Sequence, residues 1–184
     1  MSFLDTILAA KHAEIVRAKA DVPQAQLKEL AAERRGSRGF SAALDAPGVR
    51  IIAEIKRASP SLGDIHTDLD PSACAQMYAA GGAAALSVLT EPSFFKGSAA
   101  DLQRARSAVS IPVLRKDFIF DPYQIYETAA MGADAVLLIV RILDDEKLHT
   151  LHDLAHSLGL DVLTEVFDEQ DAARATELGA TLVG

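Results

Sequence analysis

Glu54 and Lys56 close an otherwise apolar run that begins at Ile51-Ile52-Ala53. In a strand, alternate side chains share a face, so Ile52, Glu54 and Lys56 point one way and Ile51, Ala53 and Ile55 the other. A carboxylate and an ammonium at the end of a buried strand are costly to desolvate unless they are paired or put to use. The Ser59-Pro60-Ser61-Leu62-Gly63 segment that follows ends the strand and brings backbone N–H groups within reach of a ligand. More polar residues stand at the ends of later apolar runs: Thr90 and Glu91, Lys116 and Asp117, and Glu165. Lysines and glutamates gathered around an apolar surface are equipped for general acid–base chemistry.

These residues need a scaffold that brings several strand ends together. From residue 50 onward, apolar runs near 51–56, 85–89, 112–115, 134–139, 161–165 and 181–184 read as strands. Between them, 71–80, 98–108, 121–131, 144–158 and 168–178 read as helices, and Gly81, Gly132, Gly159 and Gly179 stand where helices should stop. Alternating strands and helices imply parallel strands joined by right-handed crossovers. Two architectures fit: a doubly wound sheet, or a (β/α)8 barrel of which six strands are present. No G-x-G-x-x-G follows the first strand, and polar residues sit at the C-terminal ends of several different strands, which favours the barrel. The expected organisation is a helical extension over 1–48 and a barrel domain over 49–184. Within the extension, Leu4, Ile7, Leu8, Ile15 and Val16 mark the buried side of a first helix, 24–34 forms a second, and 35–39 reads as a mobile basic loop.

Composition narrows the function classes. A chain of 184 residues with 49% hydrophobic residues is long enough for one substantial core. A formal net charge of −8 without a basic stripe argues against nucleic acid as the main partner. The longest later apolar run, 135–140, is too short to span a bilayer, and the N-terminus lacks signal-peptide character, so a soluble cytoplasmic chain is expected. The single cysteine, Cys74, excludes an internal disulfide framework and reads as a small helix residue. His149, His152 and His156 fall on one helix and read as a solvated face, with no metal spacing.

Five segments, taken in order, resemble the indole-3-glycerol phosphate synthase family. They are Ala53–Ser61, Leu86–Glu91 with Phe94–Ser98, Pro112–Phe118 with Tyr123-Gln124, Gly132–Ile139, and Leu163–Val166. The resemblance covers nearly the whole chain. It implies ring closure, decarboxylation and dehydration of 1-(2-carboxyphenylamino)-1-deoxyribulose 5-phosphate, a phosphorylated small molecule, with no metal or organic cofactor. It makes Lys116 the general acid at the substrate carbonyl and Lys56 the holder of the substrate carboxylate and a second acid. Glu165 becomes a base or proton carrier, and Glu54 orients the lysines and can share base duty, with the division of steps between the two glutamates left open. Ser59 takes a substrate-contacting position, and Phe95 and Phe118 form the wall against the aromatic ring. Arg115 alternates with Lys116 and should face the helices as a structural residue.

The sequence departs from the family at Leu62, where a lysine is common, and at Phe167, where many relatives carry histidine. After the 181–184 segment the family continues with an Asn-Asn-Arg motif and two further strands, whose loops hold phosphate in such barrels. The expectation is therefore a weakly active or inactive chain, with self-association possible through open sheet edges. Two alternatives stand beside this reading. One is an aldolase-like barrel enzyme using Lys116 or Lys56 as a Schiff-base nucleophile. The other is a non-catalytic assembly module.

Overall fold

Short apolar runs, several of them preceded by a helix-stopping glycine, set the layout of the barrel portion. The computed structural model describes residues 3–34 and 36–184. Five parallel strands lie in the order β1 (Ile52–Ile55), β4 (Ala85–Leu89), β5 (Val113–Lys116), β6 (Ala135–Ile139) and β7 (Asp161–Glu165). Between β1 and β4 sits a small antiparallel hairpin of β2 (Ala58–Ser59) and β3 (Gly63–Asp64), in the segment expected to be a plain loop. The crossover helices are α4 (Pro71–Ala80), α5 (Ala99–Ala108), α6 (Pro122–Ala130) and α7 (Asp145–Ser157), and α8 (Glu169–Leu178) follows β7. A short 3-10 turn over Val140–Ile142, not expected from the sequence, bends the chain away from the end of β6.

The helix boundaries follow local chemistry. Asp70, Asp121, Asp144 and Asp168 each accept a hydrogen bond from a first-turn backbone N–H, which satisfies donors that the helix leaves unpaired. At the other end, Gly179 adopts φ 76°, a left-handed conformation that costs a side-chain-bearing residue more than glycine. The 181–184 segment begins a parallel pairing beside β7: Val183 bridges Thr164, the Thr164 N–H donates to Leu182 O, the Gly184 N–H to Thr164 O and the Val166 N–H to Gly184 O.

Side-chain alternation divides the core into two layers. Ile52, Ala85, Leu114, Ala135, Leu137, Ile139 and Leu163 cluster on the inner face of the sheet. Ile55, Val88, Val113, Val136, Leu138 and Val162 face outward and pack under the helices. Parallel strands buried on both faces explain why these runs are almost continuously apolar.

The residues before β1 form α1 (Phe3–Asp21), α2 (Gln24–Ala32) and α3 (Phe40–Leu44), the last of which the sequence did not suggest. Helix α1 buries Ile7, Lys11 and Ile15, spaced four apart, while Val16 is exposed, contrary to the expected face. Phe40 is fully buried and closes the inner layer near the strand starts, with Ala85, Leu114 and Ala135. The 36–39 part of the expected mobile loop is pinned instead. The Arg38 guanidinium donates to the carbonyls of Arg106, Val109 and Ile111 at 3.1, 2.8 and 3.1 Å, and the Arg38 N–H donates to Asp134. Arg35, from the same expected loop, lies outside the described residues. A guanidinium with five donors can satisfy several strand-start carbonyls at once, which a basic loop sequence does not advertise. Replacing Arg38 by Ala leaves those carbonyls short of a donor and should lower stability by about 1–3 kcal/mol, read from urea unfolding.

Candidate functional site

Four charged side chains meet at the C-terminal ends of three strands. Glu54 and Lys56 come from the end of β1, Lys116 from the end of β5 and Glu165 from the end of β7. Register places them together: Glu54 pairs with Ser87, Leu89 with Lys116, and Ile139 with Glu165 along the parallel ladders. Lys56 Nζ donates to Glu54 Oε1 at 2.7 Å, and Lys116 Nζ lies 3.6 Å from Glu54 Oε2 and 3.7 Å from Glu165 Oε2. The result is a chain of alternating charge, with Glu54 touching both lysines. Each member is about a quarter to a third exposed, so solvent and a ligand can both reach it.

The cluster opens onto a cavity of about 380 Å³ whose remaining wall is mostly apolar. Leu89, Phe95, Phe118, Leu137, Ile139 and Phe167 line it, and Leu4 reaches in from α1. Phe95 and Phe118 pack against each other with ring centroids 6.2 Å apart and form one wall of an apolar slot beside Lys116. A concave apolar pocket with a few convergent charges is the usual form of a small-molecule site.

The loop carrying Phe95 is built around one buried carboxylate. Glu91 accepts backbone N–H bonds from Ser93, Phe94 and Phe95 at 2.9, 2.7 and 3.0 Å. Gly97 then folds back onto the end of β4, where a Cβ would collide with the Leu89 carbonyl oxygen.

Asp117 has a similar architectural part beneath the cavity floor. Its carboxylate accepts from Thr90 Oγ1 at 2.7 Å, from the Arg115 guanidinium at 3.0 Å and from the Phe118 N–H at 2.8 Å. Burial alone would raise its pKa, but the Arg115 and Lys11 charges outweigh that, and the group is held below the usual carboxylate range. Arg115 does face the helices, bonding to Gln124 O, Thr128 and Glu127. Thr90, Glu91 and Asp117, noted in the sequence as strand-end polar residues, thus hold backbone and one another.

Ser59 is set apart from this wall. It is buried, and its hydroxyl accepts the Leu62 N–H at 3.2 Å to close the β2–β3 turn. Arg141 does line the cavity and was missed: its guanidinium lies 4.0 Å over the Phe167 ring and pairs with Asp168 and Asp171. The strand-end rule that singled out Lys116 would have found Arg141 had it been applied after the 134–139 run.

A family model described as indole-3-glycerol phosphate synthase matches residues 4–184. The chain belongs to the indole-3-glycerol phosphate synthase family. The indole-3-glycerol phosphate synthase of Desulfosudis oleivorans is 53% identical to it over 98% of the chain and 70% of that protein. The synthase of Chlorobium phaeovibrioides is 49% identical over 100% of the chain and 72% of its own length. That of a Nocardioides species is 50% identical over 100% of the chain and 71% of its length. The α/β fold with a five-stranded parallel sheet is that of a partial (β/α)8 barrel of this family. Among the described residues, no helix is long and apolar enough to cross a membrane.

Two outcomes follow from the loop and the floor. Gly97→Ala should displace the Phe95 loop and weaken ligand binding at least tenfold, measured by titration calorimetry with an anthranilate-type ligand. Because the Asp117 pKa is depressed in the fold, its stabilisation is present above the unfolded value of about 4 and is lost as pH falls through the folded value. Asp117→Asn should flatten that acid limb in urea unfolding between pH 2 and 7, and cost about 3–5 kcal/mol at neutral pH by leaving buried cations unpaired.

Proposed function

We propose that the cavity carries out the synthase reaction named for its relatives: closure of the indole ring from 1-(2-carboxyphenylamino)-1-deoxyribulose 5-phosphate. The observation that carries this reading is the place of Lys116, whose ammonium stands between Glu54 and Glu165 at the rim of an apolar slot. The aryl carbon that bears the carboxylate attacks the ketone carbon, forming the new carbon–carbon bond. Lys116 gives a proton to the carbonyl oxygen as it becomes a hydroxyl. The carboxylate then leaves as carbon dioxide, and its electron pair returns to the ring.

Dehydration completes the sequence. An acid protonates the new hydroxyl, which departs as water, while a carboxylate takes a proton from the neighbouring methylene carbon. Lys56 serves as that acid and holds the substrate carboxylate in the earlier step. Glu165 is the base or proton carrier. Glu54, bonded to Lys56 and close to Lys116, keeps both ammonium groups aimed at the slot. The separation of roles rests on geometry: each lysine reaches the cavity from a different strand, so two proton transfers need not share one group.

Phe95 and Phe118 form the wall that holds the aromatic ring, and the slot excludes water from the carbon that must lose carbon dioxide. Ser59 has a structural part in this reading, closing the turn of the β1–α4 connection.

The test is turnover of the purified protein followed by indole fluorescence. Lys116→Met should lower kcat by about 10²–10⁴-fold with the fold intact by circular dichroism. Unchanged kcat in that variant would remove Lys116 from the chemistry. Borohydride treatment with substrate should leave no adduct; a trapped lysine would instead support Schiff-base, aldolase-like chemistry.

A further inference from the structure

Lys11 is the anomaly of helix α1. It lies in the middle of the helix's buried stripe, between Ile7 and Ile15, and is only 1% exposed. An ammonium taken out of water is expensive, and a leucine at this position would pack against the barrel without that cost. Its Nζ lies 2.8 Å from Asp117 and 2.8 Å from Glu14, as ion pairs. Asp117 is the residue between Lys116 and Phe118, both of which line the cavity.

The same helix touches the mouth at further points. Leu4 lines the cavity, Phe3 packs edge-on against Phe94 at 5.5 Å between ring centroids, and Lys19 pairs with Asp121 at 2.7 Å. Of these contacts, only that of Lys11 reaches the backbone segment bearing Lys116.

We propose that Lys11 is a positioning residue for Lys116, acting through Asp117. The carboxylate has two sides. One oxygen is held by Thr90 and Arg115 from the barrel wall, and the other carries the Phe118 N–H and the Lys11 ammonium. The second oxygen therefore ties the backbone of the cavity floor to a charge delivered by α1. Removing that charge leaves the second oxygen with the Phe118 N–H alone, while Thr90 and Arg115 still pull on the first, and the 116–118 segment turns toward them. Acid–base groups work within narrow geometric limits, about 0.5 Å and 10–20°, so a small rotation is enough to take Lys116 out of line. Arg115 still neutralises Asp117, so the fold survives the loss of Lys11.

This inference rests on the role proposed above for Lys116, and the experiment separates the two. Turnover and thermal midpoint are measured for the full chain and for Lys11→Met, Lys11→Arg, Ile15→Ala and Lys116→Met. Ile15 is a buried α1 anchor that packs on Leu27 and Tyr123, away from Asp117. The expected result is a kcat at least fivefold lower in Lys11→Met with KM changed less than twofold, and most of the loss restored in Lys11→Arg. Ile15→Ala should lose a comparable thermal midpoint and keep its kcat. A smaller fall in kcat, no rescue by arginine, or an equal fall in Ile15→Ala overturns the positioning role. Lys11→Gln replaces Lys11→Met if the latter does not fold. If Lys116→Met keeps full turnover, the assignment of Lys116 fails on its own account, whatever the Lys11 variants show.

Discussion

Everything at the mouth of this barrel depends on parallel strand pairing in one fixed register. A shift by one residue would send Glu54 and Lys116 under the helices and bring Ile55 and Arg115 to the inside. The ladders from β1 to β7 prevent this by burying apolar residues on both faces, so that neither face tolerates the other's side chains. On the inner face, the charged cluster stands at the strand ends, where the inner layer meets solvent. The charged cluster is thus a by-product of where the apolar core stops.

The extension before β1 closes the sheet at both of its ends. Helix α1 lies against the mouth, through Leu4 and Lys11, and Tyr123 secures its far end by donating to the carbonyls of Ala18 and Val22. Arg34 then reaches the carbonyls of Ala133, Leu158 and Gly159, and Arg38 those near the start of β5. Phe40 finally enters the inner layer from below. The two arginines satisfy backbone carbonyls near the strand starts, and Phe40 covers the apolar inner layer there.

What can be read from the sequence follows from which interactions are local. Strand alternation is local, so the shared face of Glu54 and Lys56 and the outward turn of Arg115 are legible in the order of residues alone. Helix positions are legible for the same reason, through caps and stopping glycines. Lys11 is not, because a lysine four residues from an isoleucine on either side looks like an interruption in an apolar stripe, and its partner is 106 residues away at Asp117. Arg38 is hidden likewise: its acceptors are backbone carbonyls, which carry no residue identity. The hydroxyl of Ser59 is assigned from motif position, while its orientation depends on a two-residue hairpin too short to show a pattern. The α3 and 3-10 turns are also short, and tertiary contacts decide them.

Glu91 shows the effect of a single buried carboxylate on a binding surface. By taking three successive backbone N–H groups, it fixes the peptide units that lead into Phe95. A loop of this kind ordinarily loses conformational freedom when a ligand arrives, and that loss subtracts from affinity. Here the ordering has already taken place in the folding of the chain. The aromatic wall is therefore a preformed surface, and the entropy of arranging it is a cost to protein stability and not to any later binding.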